Sequence, residues 1–180
     1  MLMNARDSAL LVIDVQERLL SHVHDWQRVL ENVQWLVKVA QKLDVPVMAS
    51  EQYPKGIGKT HADVAALLPP DAVVEKLHFS CVAAHCLTPL AAASRRQMVV
   101  CGIESHVCVL QTVLDLRQHG KEVFVVADAV GSRAPADKAL ALERMRASGA
   151  VIVSREMVAF EWLHQAGTQL FKEVSQQFLK

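Results

Sequence analysis

Residues 98–108 read Met-Val-Val-Cys-Gly-Ile-Glu-Ser-His-Val-Cys, an apolar run that ends at a glycine and continues into a polar loop. Apolar residues then recur at helical spacing over residues 110–117, and Gly120 follows them. The run shows no polar alternation, which is typical of a strand covered on both faces, as in a parallel sheet. The stretch therefore predicts a buried strand, a loop and a helix in succession.

Similar apolar runs occur along the chain, at residues 9–13, 45–49, 72–74, 123–127 and 151–153. Helical patterns lie between them over residues 29–43, 83–95 and 136–148, and a further pattern covers residues 160–179. Repeated strand–helix alternation implies right-handed crossovers. We therefore predict an α/β fold with three α/β/α layers, built on a doubly wound, mainly parallel, Rossmann-like six-stranded sheet of order 3-2-1-4-5-6. Without repeats or linkers, residues 1–180 are predicted to form a single domain.

The charge balance narrows the classes of partner. Nineteen basic and nineteen acidic residues cancel, which gives no electrostatic basis for binding nucleic acid or an anionic membrane. Every apolar run is too short to cross a membrane. The first run meets Asp14 instead of a small-residue cleavage site, so we expect no signal peptide and a cytoplasmic location. A small-molecule substrate is the expected partner.

The four cysteines are therefore expected to be thiols in a reducing compartment. Since they form no C-x-x-C pair, a zinc ribbon and a thioredoxin-like motif have no support. Most such cysteines are small buried hydrophobic residues. We assign that structural role to Cys81, Cys86 and Cys101, the last of which lies inside an apolar run.

Ligands of open parallel sheets bind beyond the carboxyl ends of the strands. Asp14 follows the first apolar run, Lys76 follows the third, and the loop after the fourth run leads to Cys108. Any one polar residue at a strand end could equally cap a helix or satisfy a turn. The combination of a carboxylate, an ammonium and a thiol at one rim predicts a site for chemistry.

Cys108 lies where a loop becomes a helix, and the N–H groups of a helix start stabilise a thiolate. A neighbouring lysine lowers a thiol pKa, and an aspartate can accept the thiol proton. Backbone N–H groups around Cys108 could hold an oxyanion. The residues therefore predict acyl transfer with Cys108 as the nucleophile.

Three segments in order, LVIDVQ at residues 11–16, Glu75-Lys76 and GIESHVCV at residues 102–109, resemble the isochorismatase-like hydrolase superfamily. The segments EQYPKG at residues 51–56 and ADAVGSR at residues 127–133 resemble its isochorismatase domain-containing branch. The resemblance places Asp14, Lys76 and Cys108 on the catalytic triad of the family. It also implies a cis peptide between Ile103 and Glu104, oxyanion-hole N–H groups from Glu104 and Cys108, and a homo-oligomer.

The resemblance also narrows the chemistry. Nicotinamidases of this superfamily hold a metal through an aspartate and histidines after the second strand, where this chain reads Ser-Glu-Gln-Tyr-Pro and has no histidine until His61. We therefore expect no metal and no cofactor. Isochorismatases proper cleave a vinyl ether and lack the cysteine, so Cys108 favours a metal-independent hydrolase of small amides that acts through a thioester.

Further residues near the strand ends are expected to bind substrate, namely Gln16, Gln52, Tyr53, Phe79 and His106. For His106, and for His78, a structural hydrogen bond is an equal alternative. Three other functions stay open at this point. The chain could be a non-catalytic oligomeric binding or scaffold protein, a nicotinamidase-type amidase, or a redox sensor in which Cys108 forms a disulfide with Cys101 or Cys81.

Overall fold

The computed structural model describes residues 1–179, and within them six parallel strands form one sheet. The strands are β1 (Ser8–Ile13), β2 (Val47–Gln52), β3 (Val73–Lys76), β4 (Gln97–Ile103), β5 (Glu122–Gly131) and β6 (Val151–Val153). Their order is β3-β2-β1-β4-β5-β6. The predicted fold class and strand order are confirmed, and every strand pair is parallel.

Helices cover both faces of the sheet. They are α1 (Glu17–Leu20), α2 (Trp26–Lys42), α3 (Pro54–Ile57), α4 (Ala62–Ala65), α5 (Leu110–Gln118), α6 (Pro135–Ala147), α7 (Arg155–Leu163) and α8 (Gln169–Phe178). One hydrophobic cluster joins the sheet to α2, α7 and α8, and a second cluster joins the opposite face to α5 and α6. None of the helices in residues 1–179 combines the length and the apolar character that a membrane crossing requires.

The continuous apolar runs are explained by these two clusters. In β1, Leu10 and Val12 belong to the first cluster, whereas Ala9, Leu11 and Ile13 belong to the second. Successive side chains of a strand point to opposite faces. A strand buried on both faces must therefore be apolar at every position, as the sequence predicted.

Two strands extend further than their apolar runs. β2 was predicted over residues 45–49, but Ser50, Glu51 and Gln52 continue the ladder beside β3. β5 likewise continues from residue 127 to Gly131. Polar residues can stay in a buried strand when their side chains find partners, and Glu51 accepts hydrogen bonds at 2.8 Å from both the backbone N and the Oγ1 of Thr60.

Two helix predictions were wrong. Residues 83–95 form turns and a short 3₁₀ helix, Ala91–Ser94, because His85 adopts a left-handed backbone conformation and Pro89 lacks the N–H that a helix interior needs. The predicted helix over residues 160–179 is two helices, since left-handed conformations at His164 and Gly167 end α7 before α8 begins. Thr168 caps α8 by accepting a hydrogen bond from the N–H of Phe171 at 3.0 Å.

Gly102 sets the distance between β1 and β4 where both strands reach the sheet edge. A Cβ atom at this position would lie 2.1 Å from the carbonyl oxygen of Ile13, and the backbone φ of +119° favours glycine. The β4–β5 register also shifts between Val100 and Gly102. The sequence therefore needs glycine here for β4 to enter the loop that leads to Cys108.

Candidate active site

A buried ion pair lies at the carboxyl edge of the sheet. Lys76 Nζ donates a hydrogen bond of 2.7 Å to Asp14 Oδ2, and both side chains are 0% exposed. Ser50 Oγ donates to the other carboxylate oxygen of Asp14, also at 2.7 Å. Asp14 directly follows β1, Ser50 lies in β2 and Lys76 ends β3. Three adjacent parallel strands thus bring these residues together.

Gln52 connects the ion pair to the cysteine. Its side-chain Oε1 accepts a hydrogen bond of 2.7 Å from Lys76 Nζ and lies 4.0 Å from Cys108 Sγ. Its Nε2 donates to the carbonyl of Leu77 at 2.8 Å, which fixes the orientation of the amide. The three residues predicted as the triad, Asp14, Lys76 and Cys108, therefore meet in one buried cluster.

Burial and neighbouring charges determine which groups of this cluster are protonated. Burial raises the pKa of Asp14, and this effect outweighs the lowering by the charge of Lys76 and by hydrogen bonds from Lys76, Ser50 and the Cys108 thiol. For Lys76, burial lowers the pKa, but the charge of Asp14 and the hydrogen bond to Asp14 raise it above its ordinary value. Lys76 is therefore an ammonium at neutral pH.

The expectation of a lowered thiol pKa at Cys108 was wrong. Burial raises the pKa of Cys108, and the charge of Asp14 raises it further, while the charge of Lys76 opposes the shift. Only 4% of the residue is exposed, so water cannot stabilise a thiolate there. At rest Cys108 is a protonated thiol, and Gln52 Oε1 lies 4.0 Å from its Sγ.

Cys108 lies in a π-helical turn, Ser105–Val109, that leads into α5. The N–H groups of Val107 and Val109 both donate to the carbonyl of Glu104, at 3.1 and 3.2 Å. The Ile103–Glu104 peptide that precedes the turn is cis, at the position that the resemblance implied. The turn and α5 thus fix the backbone on both sides of the thiol.

The side-chain amide of Gln16 binds backbone groups, and its predicted contact with substrate stays a prediction. It is fully buried, donates to the carbonyls of Gln52 and Gly58 at 3.0 and 2.6 Å, and accepts from the N–H of Gln52 at 2.7 Å. Because both ends of its amide bind backbone groups, Gln16 positions the Gln52 segment.

The predicted aromatic residues lie on different clefts. Tyr53 is 49% exposed and lines a cleft of about 490 Å³ together with Lys76 and His78. Phe79, equally exposed, lines a neighbouring cleft of about 390 Å³ that His78 also borders. Tyr53 thus shares a cleft with Lys76, whereas Phe79 lines a cleft that none of the three predicted triad residues borders.

The turn that carries Cys108 is held by two residues that follow β5. His106 Nδ1 lies 3.0 Å from Ser132 Oγ, and Arg133 Nε donates to Glu104 Oε1 at 2.5 Å. The sequence did not predict roles for Ser132, Arg133 or Ser50. Their signal was present nevertheless, since the first two end the ADAVGSR segment and Ser50 begins the polar end of β2.

The comparisons with known proteins agree with the fold. The family described as Isochorismatase domain matches residues 8–157. This chain belongs to the isochorismatase family. It is 37% identical over 168 residues to isochorismatase domain-containing protein 2 of Bos taurus, which covers 93% of this chain and 80% of the relative. It is 38% identical over 175 residues to the secreted isochorismatase effector Isc1 of Phytophthora sojae, with 93% and 82% covered.

Two solved structures resemble this isochorismatase-family chain over most of its length. The MAR1 ribonuclease of Caenorhabditis elegans is 32% identical with a TM-score of 0.91, and 100% of this chain and 93% of that chain are covered. YcaC of Escherichia coli, described as an octameric hydrolase of unknown specificity, is 24% identical with a TM-score of 0.86, covering 92% and 83%. The second comparison supports the fold alone. The predicted superfamily and branch are confirmed.

A metal site in this family member would need several histidine, cysteine, aspartate or glutamate side chains close together. Within residues 1–179, no three or more histidine, cysteine, aspartate or glutamate side chains cluster in an arrangement suited to a metal ion. The Asp14 carboxylate already binds Lys76 and Ser50. The absence of a metal cofactor stays a prediction, and Asp14 is explained without one.

Proposed function

We propose that this isochorismatase-family protein hydrolyses the C–N bond of a small amide through a thioester on Cys108. The observation that carries the proposal is the environment of Asp14. Its buried carboxylate binds the Lys76 ammonium at 2.7 Å, and the charge of the carboxylate raises the pKa of the Cys108 thiol. A thiol, a base for its proton and a cation that keeps the base in place are the groups that covalent acyl transfer requires.

In the proposed reaction, Asp14 takes the proton from Cys108 as the sulfur attacks the carbonyl carbon of the amide. The N–H groups of Glu104 and Cys108 are the proposed donors to the oxyanion. Asp14 then gives its proton to the leaving nitrogen, the C–N bond breaks and a thioester remains. Water attacks the thioester while Asp14 again accepts a proton, which it returns to the sulfur. The products are a carboxylic acid and an amine or ammonia.

Lys76 has an electrostatic role in this scheme. Burial alone favours the neutral acid form of Asp14, and a neutral carboxyl cannot accept the thiol proton. The ammonium at 2.7 Å favours the ionised carboxylate. Two further residues hold the ion pair in place. Gln52 accepts a hydrogen bond from Lys76 and orients it, and Ser50 donates to the second carboxylate oxygen of Asp14. Tyr53 and His106 are proposed to contact the substrate at the rim.

The test compares amide hydrolysis by wild type and Cys108→Ala across small aliphatic and aromatic primary amides, nicotinamide included, with released ammonia as the readout. Cys101→Ala is the matched control, because Cys101 is equally buried but lies in the cluster on the other face of the sheet. We expect turnover by wild type and the control and none by Cys108→Ala. Equal turnover by all three proteins would contradict the proposal.

The panel also separates the alternatives. Turnover confined to nicotinamide would indicate a nicotinamidase-type amidase. If no amide is turned over while ligands still bind, a non-catalytic binding or scaffold protein is favoured. The ribonuclease description belongs to the C. elegans protein. RNA is therefore included in the panel, and we expect no cleavage because the net charge of this chain is zero.

We further propose that the chain is a homo-oligomer and that it is cytoplasmic. YcaC of E. coli is described as octameric, and several large apolar side chains are exposed on this protein: Leu77, Leu140, Met157 and Phe160. Burying such side chains in a subunit contact would remove apolar surface from water, which favours association. Light scattering on the purified chain measures the copy number, and a mass equal to that of one chain would contradict the oligomer. Cell fractionation tests the location.

A further inference from the structure

The cleft of about 490 Å³ that Lys76 borders has the size and the walls of a small-molecule site. Such sites measure roughly 300–1,000 Å³ and are lined mainly by apolar and aromatic side chains. Tyr53, which is 49% exposed, lines this cleft together with Pro54, Leu77 and Ala84. We therefore expect the occupant to have an apolar body that packs against these walls.

Lys76 connects this cleft to the catalytic cluster. It borders the cleft, and its Nζ donates to Gln52 Oε1 at 2.7 Å. The same oxygen of Gln52 lies 4.0 Å from Cys108 Sγ. A molecule that lies in the cleft against Lys76 is therefore separated from the thiol by one side chain, that of Gln52.

The wall of the cleft that α3 forms is held in place from several sides. The backbone N–H of Tyr53 donates to the carbonyl of Lys76 at 2.9 Å, and Arg18 Nη1 donates to the carbonyl of Gly56, also at 2.9 Å. A Cβ atom at Gly56 would lie 2.3 Å from Cε1 of Tyr53, so the tyrosine ring packs directly against this glycine. Lys55 lies between Tyr53 and Gly56 in the sequence, and its backbone position is therefore fixed at the edge of the cleft.

The charges on the cleft are unevenly compensated. Its lysine and glutamate side chains are Lys55, Glu75 and Lys76. Glu75 pairs with Lys59 Nζ at 2.9 Å, and Lys76 belongs to the buried ion pair with Asp14. Over residues 1–179, Lys55 is in none of the ion pairs, and it is exposed to solvent. His78 also borders the cleft and adds no negative charge. The Lys55 ammonium is thus the charge on this cleft that a ligand can neutralise.

We propose that the substrate is an amide whose apolar body carries a carboxylate, and that Lys55 binds this carboxylate. The inference rests on the proposed amide hydrolysis and names its substrate class. In this arrangement the amide end lies towards Lys76, and the carboxylate lies at the exposed edge of the cleft. One ammonium balances one negative charge, which fits a carboxylate better than a phosphate group of nearly two charges. An exposed ion pair contributes little free energy, so Lys55 selects among amides while the apolar walls supply most of the affinity.

The experiment compares three benzamides that differ only in the group opposite the amide: 4-carbamoylbenzoate, 4-methylbenzamide and 4-(aminomethyl)benzamide. At pH 7 that group is an anion, a neutral methyl group and a cation, respectively. Released ammonia gives kcat/KM for each compound with the wild-type protein. We expect the anionic amide to exceed the neutral one by about three- to fivefold, as for an exposed ion pair, and the cationic amide to be the poorest. The difference should shrink at high salt. Equal values, or a preference for the cationic amide, would overturn the proposal and leave amide hydrolysis intact.

Variants of Lys55 assign the preference to this side chain. Lys55→Met removes the charge and should abolish the preference for 4-carbamoylbenzoate over 4-methylbenzamide. Lys55→Glu reverses the charge and should make the cationic amide the best of the three. Lys38→Met is the matched control, because Lys38 is exposed on α2 and does not border this cleft. The wild-type preference should persist in that variant. An undiminished preference in Lys55→Met, or its loss in Lys38→Met, would contradict the role of Lys55.

A binding measurement keeps this inference separate from the proposed hydrolysis. Isothermal titration calorimetry compares 4-carbamoylbenzoate and 4-methylbenzamide on Cys108→Ala, with and without Lys55→Met, after circular dichroism has checked that the variants are folded. We expect tighter binding of the carboxylate, and loss of that difference with Lys55→Met. If wild type hydrolyses no amide but this difference is present, the proposed function fails and the substrate-class inference keeps its binding site. Amide hydrolysis without the difference would overturn the inference alone, and neither binding nor turnover would overturn both.

Discussion

Lys76 Nζ lies 2.7 Å from Asp14 Oδ2, although the two residues are 62 positions apart. Lys76 ends β3 and Asp14 follows β1, and β2 lies between these two strands. The lysine reaches across β2, where Gln52 accepts a second hydrogen bond from its Nζ and Ser50 binds the far side of the carboxylate. The pair is fully buried. Each charge therefore depends on the other, because water does not solvate either of them.

The first prediction concerns the removal of one charge. Lys76→Met leaves the Asp14 carboxylate buried without a cation, and we expect it to lower the free energy of unfolding by about 3–5 kcal/mol at pH 7. Without Lys76 the pKa of Asp14 rises further, and a protonated carboxyl needs no cation. The deficit should therefore shrink as the pH falls. Urea denaturation at several pH values measures it.

Lys42→Met is the matched control for this variant, because Lys42 pairs with Glu173 where the side chains are 35% and 40% exposed. Exposed pairs contribute little to stability. We expect a change much smaller than that of Lys76→Met, with little dependence on pH. Similar losses in the two variants would show that burial of the Asp14–Lys76 pair does not set its energetic role.

The second prediction concerns the reactivity of Cys108. Since its pKa is raised by burial and by Asp14, the thiolate fraction at pH 7 is small. Its alkylation by iodoacetamide should accelerate about tenfold per pH unit without a plateau up to about pH 9, above the free-thiol pKa of about 8.5. Mass spectrometry of the Cys108 peptide in a Cys101→Ala background measures the rate, with N-acetylcysteine as the reference. A plateau below pH 8 would indicate a resting thiolate instead.

The third prediction concerns Gly102. In Gly102→Ala the added methyl group clashes with the backbone of Ile13. The clash is relieved only if β1 and β4 separate beside Asp14. We expect a loss of more than about 4 kcal/mol, in the range that marks a severe steric conflict. Gly120→Ala is the control, because φ is also positive there but nothing lies within 4 Å. Its cost should be only the backbone penalty of about 1–2 kcal/mol. Equal midpoints of urea denaturation would contradict the steric argument.

The fourth prediction concerns the buried amide of Gln16. Gln16→Leu leaves the N–H and carbonyl of Gln52 without their partner, at a cost of about 1–3 kcal/mol for each unsatisfied group. Gln111→Leu, at an exposed position of α5, removes the same kind of side chain and should change stability little. Thermal and urea denaturation compare the two. An unchanged Gln16→Leu protein would show that the hydrogen bonds to Gln52 are replaced.

The apolar runs of the sequence determined the architecture. Six runs without polar alternation require six strands buried on both faces, and helical patterns between them require parallel crossovers, which is what the structure shows. Strand ends were less well determined, because Ser50, Glu51 and Gln52 look polar but are satisfied inside the ladder. The break at His164 was missed since left-handed backbone at a non-glycine residue leaves little trace in a sequence.

For the candidate site, too, the sequence indicated one part and the tertiary structure decided the other. Residue types and their positions at strand ends indicated Asp14, Lys76 and Cys108. Only the tertiary structure decided how they interact, because burial, distance and proton sharing depend on residues far apart in the chain. It made Gln16 a support of the Gln52 segment, raised the pKa of Cys108 instead of lowering it, and brought Cys86 onto the carbonyl of Cys81. The sequence supplied the chemical groups, and packing set their protonation and their partners.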